Sequence, residues 1–241
     1  MDFDRLLRNW QNLATKDPLW AILSDEGKQG GRWNLAEFFR SGEGFINYIG
    51  EALHQRRIDV ARGSALDFGC GYGRLTQALT RHFAKVVGVD AAEAMVLAAR
   101  KHNRFGERVA YVYNPVPDLA VFPPLFTLSP SASFDFVLTV LVLQYMRADF
   151  QQGYLREFLR VLRPGGVLFV QIPTVPTTPV LDSISRVDEV AGEACIEIHG
   201  QSQASVEALF LAAGGELLYA EADTWAGVEW GSMHYCVRRQ R

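Results

Sequence analysis

The stretch that most limits how this chain can fold is Ala65–Leu79, ALDFGCGYGRLTQAL. A short apolar run enters a loop with glycine at every second position, Gly69, Gly71 and Gly73, and a helical pattern follows at once. Glycine there tolerates positive φ and lets a ligand approach the backbone without meeting a Cβ. The helix N-terminus then offers unpaired N–H groups and a partial positive charge. The same rhythm continues downstream. Strand patterns at Val86–Val89, Val109–Tyr113, Phe134–Leu141 and Val167–Ile172 alternate with helical patterns at Leu75–Phe83, Ala92 to about His102 and Tyr154–Leu162. The last of these helices meets Pro164-Gly165-Gly166, a stop signal. Such alternation argues for a parallel sheet with helices on both faces, joined by right-handed crossovers. Val206–Ala213 is a further helix, and Glu216–Ala220 with Met233–Val237 forms a terminal hairpin, so the last strand is expected to be antiparallel.

Three segments break this rhythm. Residues 1–63 carry helix-like patterns and an aromatic stretch holding Trp33, Phe38, Phe39 and Phe45. Asn114–Ser133 holds half of the 10 prolines and reads as an extended loop. Residues 173–200 form a long insert opening on Pro173, Pro176 and Pro179. Long loops in a compact domain are usually functional or disordered, and in open α/β sheets ligands sit at the C-terminal ends of strands.

Composition narrows the function classes. With 241 residues the chain suits one large domain or one domain and an appendage. Lys plus Arg number 24 against 27 Asp plus Glu, a net charge of -3, so neither nucleic acid nor an anionic membrane is an expected partner. Cys70, Cys195 and Cys236 are too few and too scattered for a disulfide framework and form no C-x-x-C pair. The charged N-terminus does not read as a signal peptide, and no apolar run reads as long enough to span a bilayer. The expectation is a reduced, soluble, cytoplasmic protein.

The glycine loop itself discriminates between ligands. A dinucleotide G-x-G-x-x-G/A pattern fails, because its third glycine falls on Arg74 or Thr76, and no G-x-x-x-x-G-K-[ST] is present. The pattern is instead Asp67-x-Gly-x-Gly-x-Gly. Asp90 ends the second strand, 19 residues after Gly71, where a carboxylate can accept both hydroxyls of a ribose. It can also cap the helix that follows, with Glu93 as partner, and the two roles are compatible.

ALDFGCGYGRL, VVGVDAAEAMVLAA, FDFVLTVLVLQYM and LREFLRVLRPGGVLFVQIP, in this order, resemble the four motifs of the class I S-adenosylmethionine-dependent methyltransferases, above all the small-molecule type 11 or 12 kind. The resemblance covers about Ser64–Gln240. It implies a Rossmann-like, doubly wound α/β fold with seven strands, mostly parallel and the last antiparallel, preceded by a helical N-terminal cap. Residues 1–63 are then the cap or lid and 64–241 the cofactor-binding domain. By position, the resemblance puts Asp67 near the cofactor's methionine amine, and Gly69, Cys70 and Gly71 against methionine and ribose. Asp90 binds the ribose hydroxyls, Ala91 and Met95 flank the adenosine, and Thr139 and Val140 meet the methionine moiety. Arg74 either pairs with the cofactor carboxylate or is a surface helix arginine. The family's acidic residue after the third strand is missing; Asn114 can accept from the adenine amino group instead, and Asp118 is the charged alternative.

Methyl transfer from a sulfonium is an in-line displacement on an activated donor, so the protein's chief task is positioning, worth roughly 7–11 kcal/mol. A hydroxyl or protonated amine acceptor also needs a general base. His199 in the insert is the first candidate and Tyr145 the second; each also has a purely structural reading. The other histidines lie on helices or the terminal strand, and no histidine has metal-ligand spacing, so no metal is expected. The expected partner is a small-molecule methyl acceptor. The rival functions are a non-catalytic S-adenosylmethionine-binding or scaffold protein of this fold and, against the glycine spacing, a nicotinamide-dependent oxidoreductase.

Overall fold

Strands buried on both faces dominate the architecture. In the computed structural model, which describes residues 2–120, 134–176, 188–190, 194–227 and 230–240, the chain falls into two compact units. One comprises residues 10–115, the other residues 1–9 with 116–241. Helix α1 (Phe3–Lys16) spans the boundary in sequence.

The unit of residues 10–115 holds α2 (Pro18–Ile22), α3 (Leu35–Gln55), β1 (Ser64–Phe68), α4 (Arg74–Leu79), β2 (Lys85–Asp90), α5 (Glu93–Lys101) and β3 (Val109–Tyr113). β2 lies between β1 and β3 and is parallel to both. Every residue of β1 is buried, and so are Val86–Val89 of β2; strands buried along both faces in this way are what a parallel sheet covered on both sides requires. The Asn34 side chain caps α3 by accepting from the N–H groups of Ala36 and Glu37. Its buried face runs Phe38, Phe39, Gly42, Ile46, Ile49, Ala52. At Gly42 this helix touches α4, where a Cβ would stand 2.5 Å from the Arg74 carbonyl oxygen. α4 ends at Leu79, earlier than the apolar spacing suggests. The Thr80 hydroxyl turns back onto the Gln77 carbonyl, and the Arg108 guanidinium takes the Thr80 and Phe83 carbonyls.

The other unit holds β4 (Phe134–Thr139), α6 (Ala148–Val161), β5 (Leu162–Pro176), β6 (Asp188–Val190), β7 (Ala194–Ile196), α7 (Gln203–Ala212), β8 (Gly215–Asp223) and β9 (Trp230–Arg239). β5 is parallel to β4, and β9 runs antiparallel to β5 and β8. The strand order of the seven-stranded sheet is β3-β2-β1-β4-β5-β9-β8, with β6 and β7 forming a separate antiparallel pair. The expected Rossmann-like sheet with its antiparallel last strand is therefore present.

Two sequence expectations need correction. Pro164-Gly165-Gly166 does not separate helix from strand; it lies inside β5 as an irregularity. Phe134 pairs with Leu162 but Phe136 pairs with Val167, and Gly165 at φ +82 supplies the turn that absorbs the extra residues. The insert after the fifth strand, expected as a loop, contains the β6–β7 pair. Asp135, which interrupts the apolar run of β4, is buried and paired with Arg163 at 2.9 Å. Of the proline-rich segment and the insert, residues 121–133, 177–187 and 191–193 lie outside the described residues. Among the described residues no helix is long and apolar enough to cross a membrane.

Candidate cofactor site

The loop after β1 is built by backbone bonds to β2. The N–H groups of Gly69 and Cys70 both donate to the Val89 carbonyl, at 2.8 and 3.0 Å, and Gly73 N–H closes a turn onto the Cys70 carbonyl. Gly71 and Gly73 sit at φ +50 and +82, in the left-handed region that costs other residues strain. Their neighbours are instructive. A Cβ on Gly71 would lie 2.6 Å from Ile22 Cδ1 of α2, and one on Gly73 would overlap the Tyr111 hydroxyl. Of the two reasons the sequence offers for these glycines, positive φ and ligand approach, the structure shows the first at both, and it adds close neighbours from the chain itself.

Asp90 joins the openings of two crossovers. Its Oδ2 accepts from Gly71 N–H and its Oδ1 from Ala92 N–H, each at 2.8 Å. Burial pushes its carboxyl above the ordinary range, while the N–H groups of Ala92, Gly71 and Ala91 hold it down. A carboxylate bears about four acceptor positions, so two remain for ligand hydroxyls. Next to it, Asn114 is buried and its N–H donates to the Asp90 carbonyl at 2.9 Å. Ala91 is part-buried, and Met95 is on the buried face of α5.

Beneath the loop lies a buried charge pair. Asp67 is 2% exposed and accepts from Thr76 Oγ1 at 2.6 Å. Burial raises its carboxyl to about 6, against the Thr76 hydroxyl and the Arg74 guanidinium, which lower it. Arg74, the first residue of α4, is 8% exposed, so the surface reading is wrong. Burial lowers its guanidinium to about 10, and the charge of Asp67 works the other way. One terminal nitrogen reaches Ser41 Oγ at 3.4 Å; the buried Nε has no hydrogen-bond partner among the described residues. Thr76 and Ser41 were not singled out in the sequence, where a threonine and a serine on helices carry no distinguishing signal. Over the same loop, the Tyr72 ring meets Phe38 edge-on at 6.5 Å and stacks on His102 at 5.4 Å.

The remaining candidates lie in the other unit. Thr139 ends β4, 1% exposed, with its hydroxyl buried and unpartnered among the described residues. Val140 follows, also buried. Tyr145 belongs to a single 3-10 turn, Leu143–Tyr145, and burial raises its phenol. His199 is tied to that turn: its N–H donates to the Gln144 carbonyl at 2.7 Å, and its carbonyl accepts from Gln151 Nε2 at 3.1 Å. Gln151, fully buried in α6, also donates to the Leu143 and Met146 carbonyls and accepts from Gln201. His199 Nε2 stands 3.1 Å from Glu197 Oε2. A carboxylate only accepts, so with a neutral imidazole Nε2 carries the hydrogen and Nδ1 the lone pair. Burial lowers the imidazole's pKa, opposed by Glu197. Of the two candidate bases, His199 therefore has the form suited to neutral pH. In this unit the buried glutamines Gln144, Gln151, Gln171 and Gln201 carry no signal in the sequence, because only long-range pairing shows what they join. Among the described residues no group of His, Cys, Asp and Glu side chains could hold a metal ion.

Comparison with known proteins agrees with the fold. Residues 66–170 match the family model of a methyltransferase domain. The ubiquinone biosynthesis O-methyltransferase of Xanthomonas oryzae is 32% identical over 132 residues, 54% of this chain and 51% of the relative. The chain thus spans about half the length of the curated relatives it matches. Magnesium protoporphyrin IX methyltransferase from Synechocystis, solved with bound S-adenosylhomocysteine, superposes with a TM-score of 0.65 at 15% identity, covering 99% of this chain and 100% of that one. A SAM-dependent methyltransferase from Leishmania major gives 0.65 at 17% identity, covering 98% and 82%. Residues 66–170 thus match a methyltransferase-domain model, and the chain has the fold of the solved S-adenosylmethionine-dependent methyltransferases.

Proposed function

We propose that the chain transfers a methyl group from S-adenosylmethionine to a small or medium-sized organic acceptor by in-line displacement. The observation that carries this is the buried Arg74 guanidinium at the head of the helix after the glycine loop, whose Nε lacks a hydrogen-bond partner among the described residues. A buried guanidinium N–H left without an acceptor is costly, and the carboxylate of an amino-acid ligand would satisfy it. Bound S-adenosylmethionine supplies an electrophilic methyl on a sulfonium; the chain's residues hold, orient and shield it. In this reading Asp67 faces the methionine amine, the backbone of Gly69, Cys70 and Gly71 lines methionine and ribose, and Asp90 accepts the ribose hydroxyls. Ala91 and Met95 flank the adenosine, Asn114 accepts from adenine, and Thr139 and Val140 meet the methionine moiety. Residues 1–63 act as the cap, with the cytoplasm as compartment, consistent with the buried free thiols of Cys70 and Cys236.

The Xanthomonas relative is named for O-methylation, and a hydroxyl acceptor fits His199. The Nδ1 lone pair takes the hydroxyl proton while Glu197 holds the ring and offsets the charge that develops. Tyr145, with its raised phenol, is left as a shape-giving neighbour.

Isothermal titration calorimetry of the full chain with S-adenosylhomocysteine tests the cofactor reading. Saturable binding is expected, with none for NAD. Arg74→Met should lose about 10–100-fold in affinity, the worth of one charge-assisted hydrogen bond. No binding by the wild-type chain would end the reading.

A further inference from the structure

β5 is fully buried at Val167, Leu168, Phe169, Val170 and Ile172, yet Gln171 stands among them at 0% exposure. A primary amide in such a place is costly unless its hydrogen bonds are made. Gln171 Oε1 accepts from Leu141 N–H at 3.0 Å, and its Nε2 donates to Ser232 Oγ at 2.7 Å and toward Gln144 Oε1 at 3.4 Å. Leu141 is itself anomalous. It has φ +61, the left-handed region, in a residue with no polar side chain to support it locally. Strained backbone of this kind persists only where the surroundings over-determine it, and it clusters at functional sites. Leu141 comes two residues after Thr139, whose buried hydroxyl has no partner among the described residues.

We infer that Gln171 is a positioning residue: by holding Leu141 N–H it keeps the strained turn after β4 wound, and so presents Thr139 and Val140 to the methionine end of the cofactor. This inference rests on the cofactor reading proposed above. Ser232, from β9, fixes the amide and thereby links the terminal hairpin to the same turn. The amide's orientation follows from its partners, since a backbone N–H needs the oxygen and leaves the NH2 for the Ser232 hydroxyl.

The test uses S-adenosylhomocysteine binding to the full chain, measured by calorimetry. Gln171→Met keeps the side chain's length and removes its hydrogen bonds; affinity should fall about tenfold. Leu141→Gly, which occupies the left-handed region without strain, should restore affinity in the Gln171→Met background to within about threefold of wild type. A simple packing defect at residue 171 has no reason to be cured by glycine at 141. Unchanged affinity in Gln171→Met, or a loss that Leu141→Gly does not repair, overturns the inference and leaves the cofactor reading standing. Should Gln171→Met fail to fold, Ser232→Ala takes its place: a loss rescued by Leu141→Gly supports the inference, and an unchanged affinity overturns it. If the wild-type chain binds no S-adenosylhomocysteine, both fall together.

Discussion

Asp67 should make the stability of this protein fall as pH rises from about 4 to about 6. Its carboxyl is pushed from 3.8 to about 6, first by burial, with Thr76 and Arg74 opposing. A folded-state pKa above the unfolded one means that, between the two values, the folded chain holds a proton the unfolded chain has released. Stability is then greatest below the unfolded pKa and declines through that window. Roughly two units at about 1.4 kcal/mol each amount to about 3 kcal/mol. Asp67→Asn removes the titration, and it also leaves Arg74 without its counter-charge, so the useful quantity is the change in the difference between the two proteins. Urea unfolding followed by tryptophan fluorescence, at intervals from pH 3.5 to 7.5, should show the gap moving in favour of Asp67→Asn by about 3 kcal/mol as pH rises. Saturating S-adenosylhomocysteine should flatten the wild-type slope, because an ammonium beside Asp67 favours its charged form. Parallel stability curves for the two proteins without ligand would show that Asp67 is not buried in the way described.

Three further outcomes follow from the same geometry. Asp90→Ala leaves the N–H groups of Gly71 and Ala92 without their carboxylate; at about 1.5–3 kcal/mol per bond to a charged group, unfolding free energy should drop by about 3–6 kcal/mol and S-adenosylhomocysteine affinity with it, both read in one thermal-shift titration. Gly71→Val meets Ile22 and a φ of +50, so it should lower the melting temperature, and Ile22→Ala should recover part of the loss; an unaltered melting temperature contradicts the packing described. His199→Gln should abolish methyl transfer to a phenolic probe such as catechol while leaving S-adenosylhomocysteine affinity within about twofold. Because His199 is shifted below the ordinary histidine value by burial and by Arg147, with Glu197 opposing, wild-type activity should rise with pH and reach its plateau before neutrality. A plateau reached only well above pH 7 would exclude His199 as the base.

How much was legible beforehand differs from residue to residue. The glycine loop and Asp90 are local features: a strand, a turn and a carboxylate at a set distance, whose spacing is written in the chain. The bond from Gly71 N–H to Asp90 is one the spacing alone does not name, and the N-cap residue of the following helix is Ala92, whose N–H also reaches the Asp90 carboxylate. Arg74 was ambiguous, because helical spacing says nothing of what lies across from a first-turn residue. Gly42, from a helix distant in sequence, makes it buried. Pro164-Gly165-Gly166 misled for the opposite reason: its turn chemistry was read correctly, but a strand can absorb such a turn as a bulge when its partner strand supplies the register.

The sequence by itself determined the order of strands and helices along the chain, the place of the glycine loop and the acid that pins it, since these follow from periodicity and from what glycine and carboxylate can do over short distances. Tertiary structure alone decided which polar groups are buried and with whom. Arg74 beside Asp67, Gln171 beneath Leu141, Gln151 between the turn after β4 and His199, and Ile22 against Gly71 are pairings whose energy arises from exclusion of water. That exclusion exists only once distant segments have closed over one another.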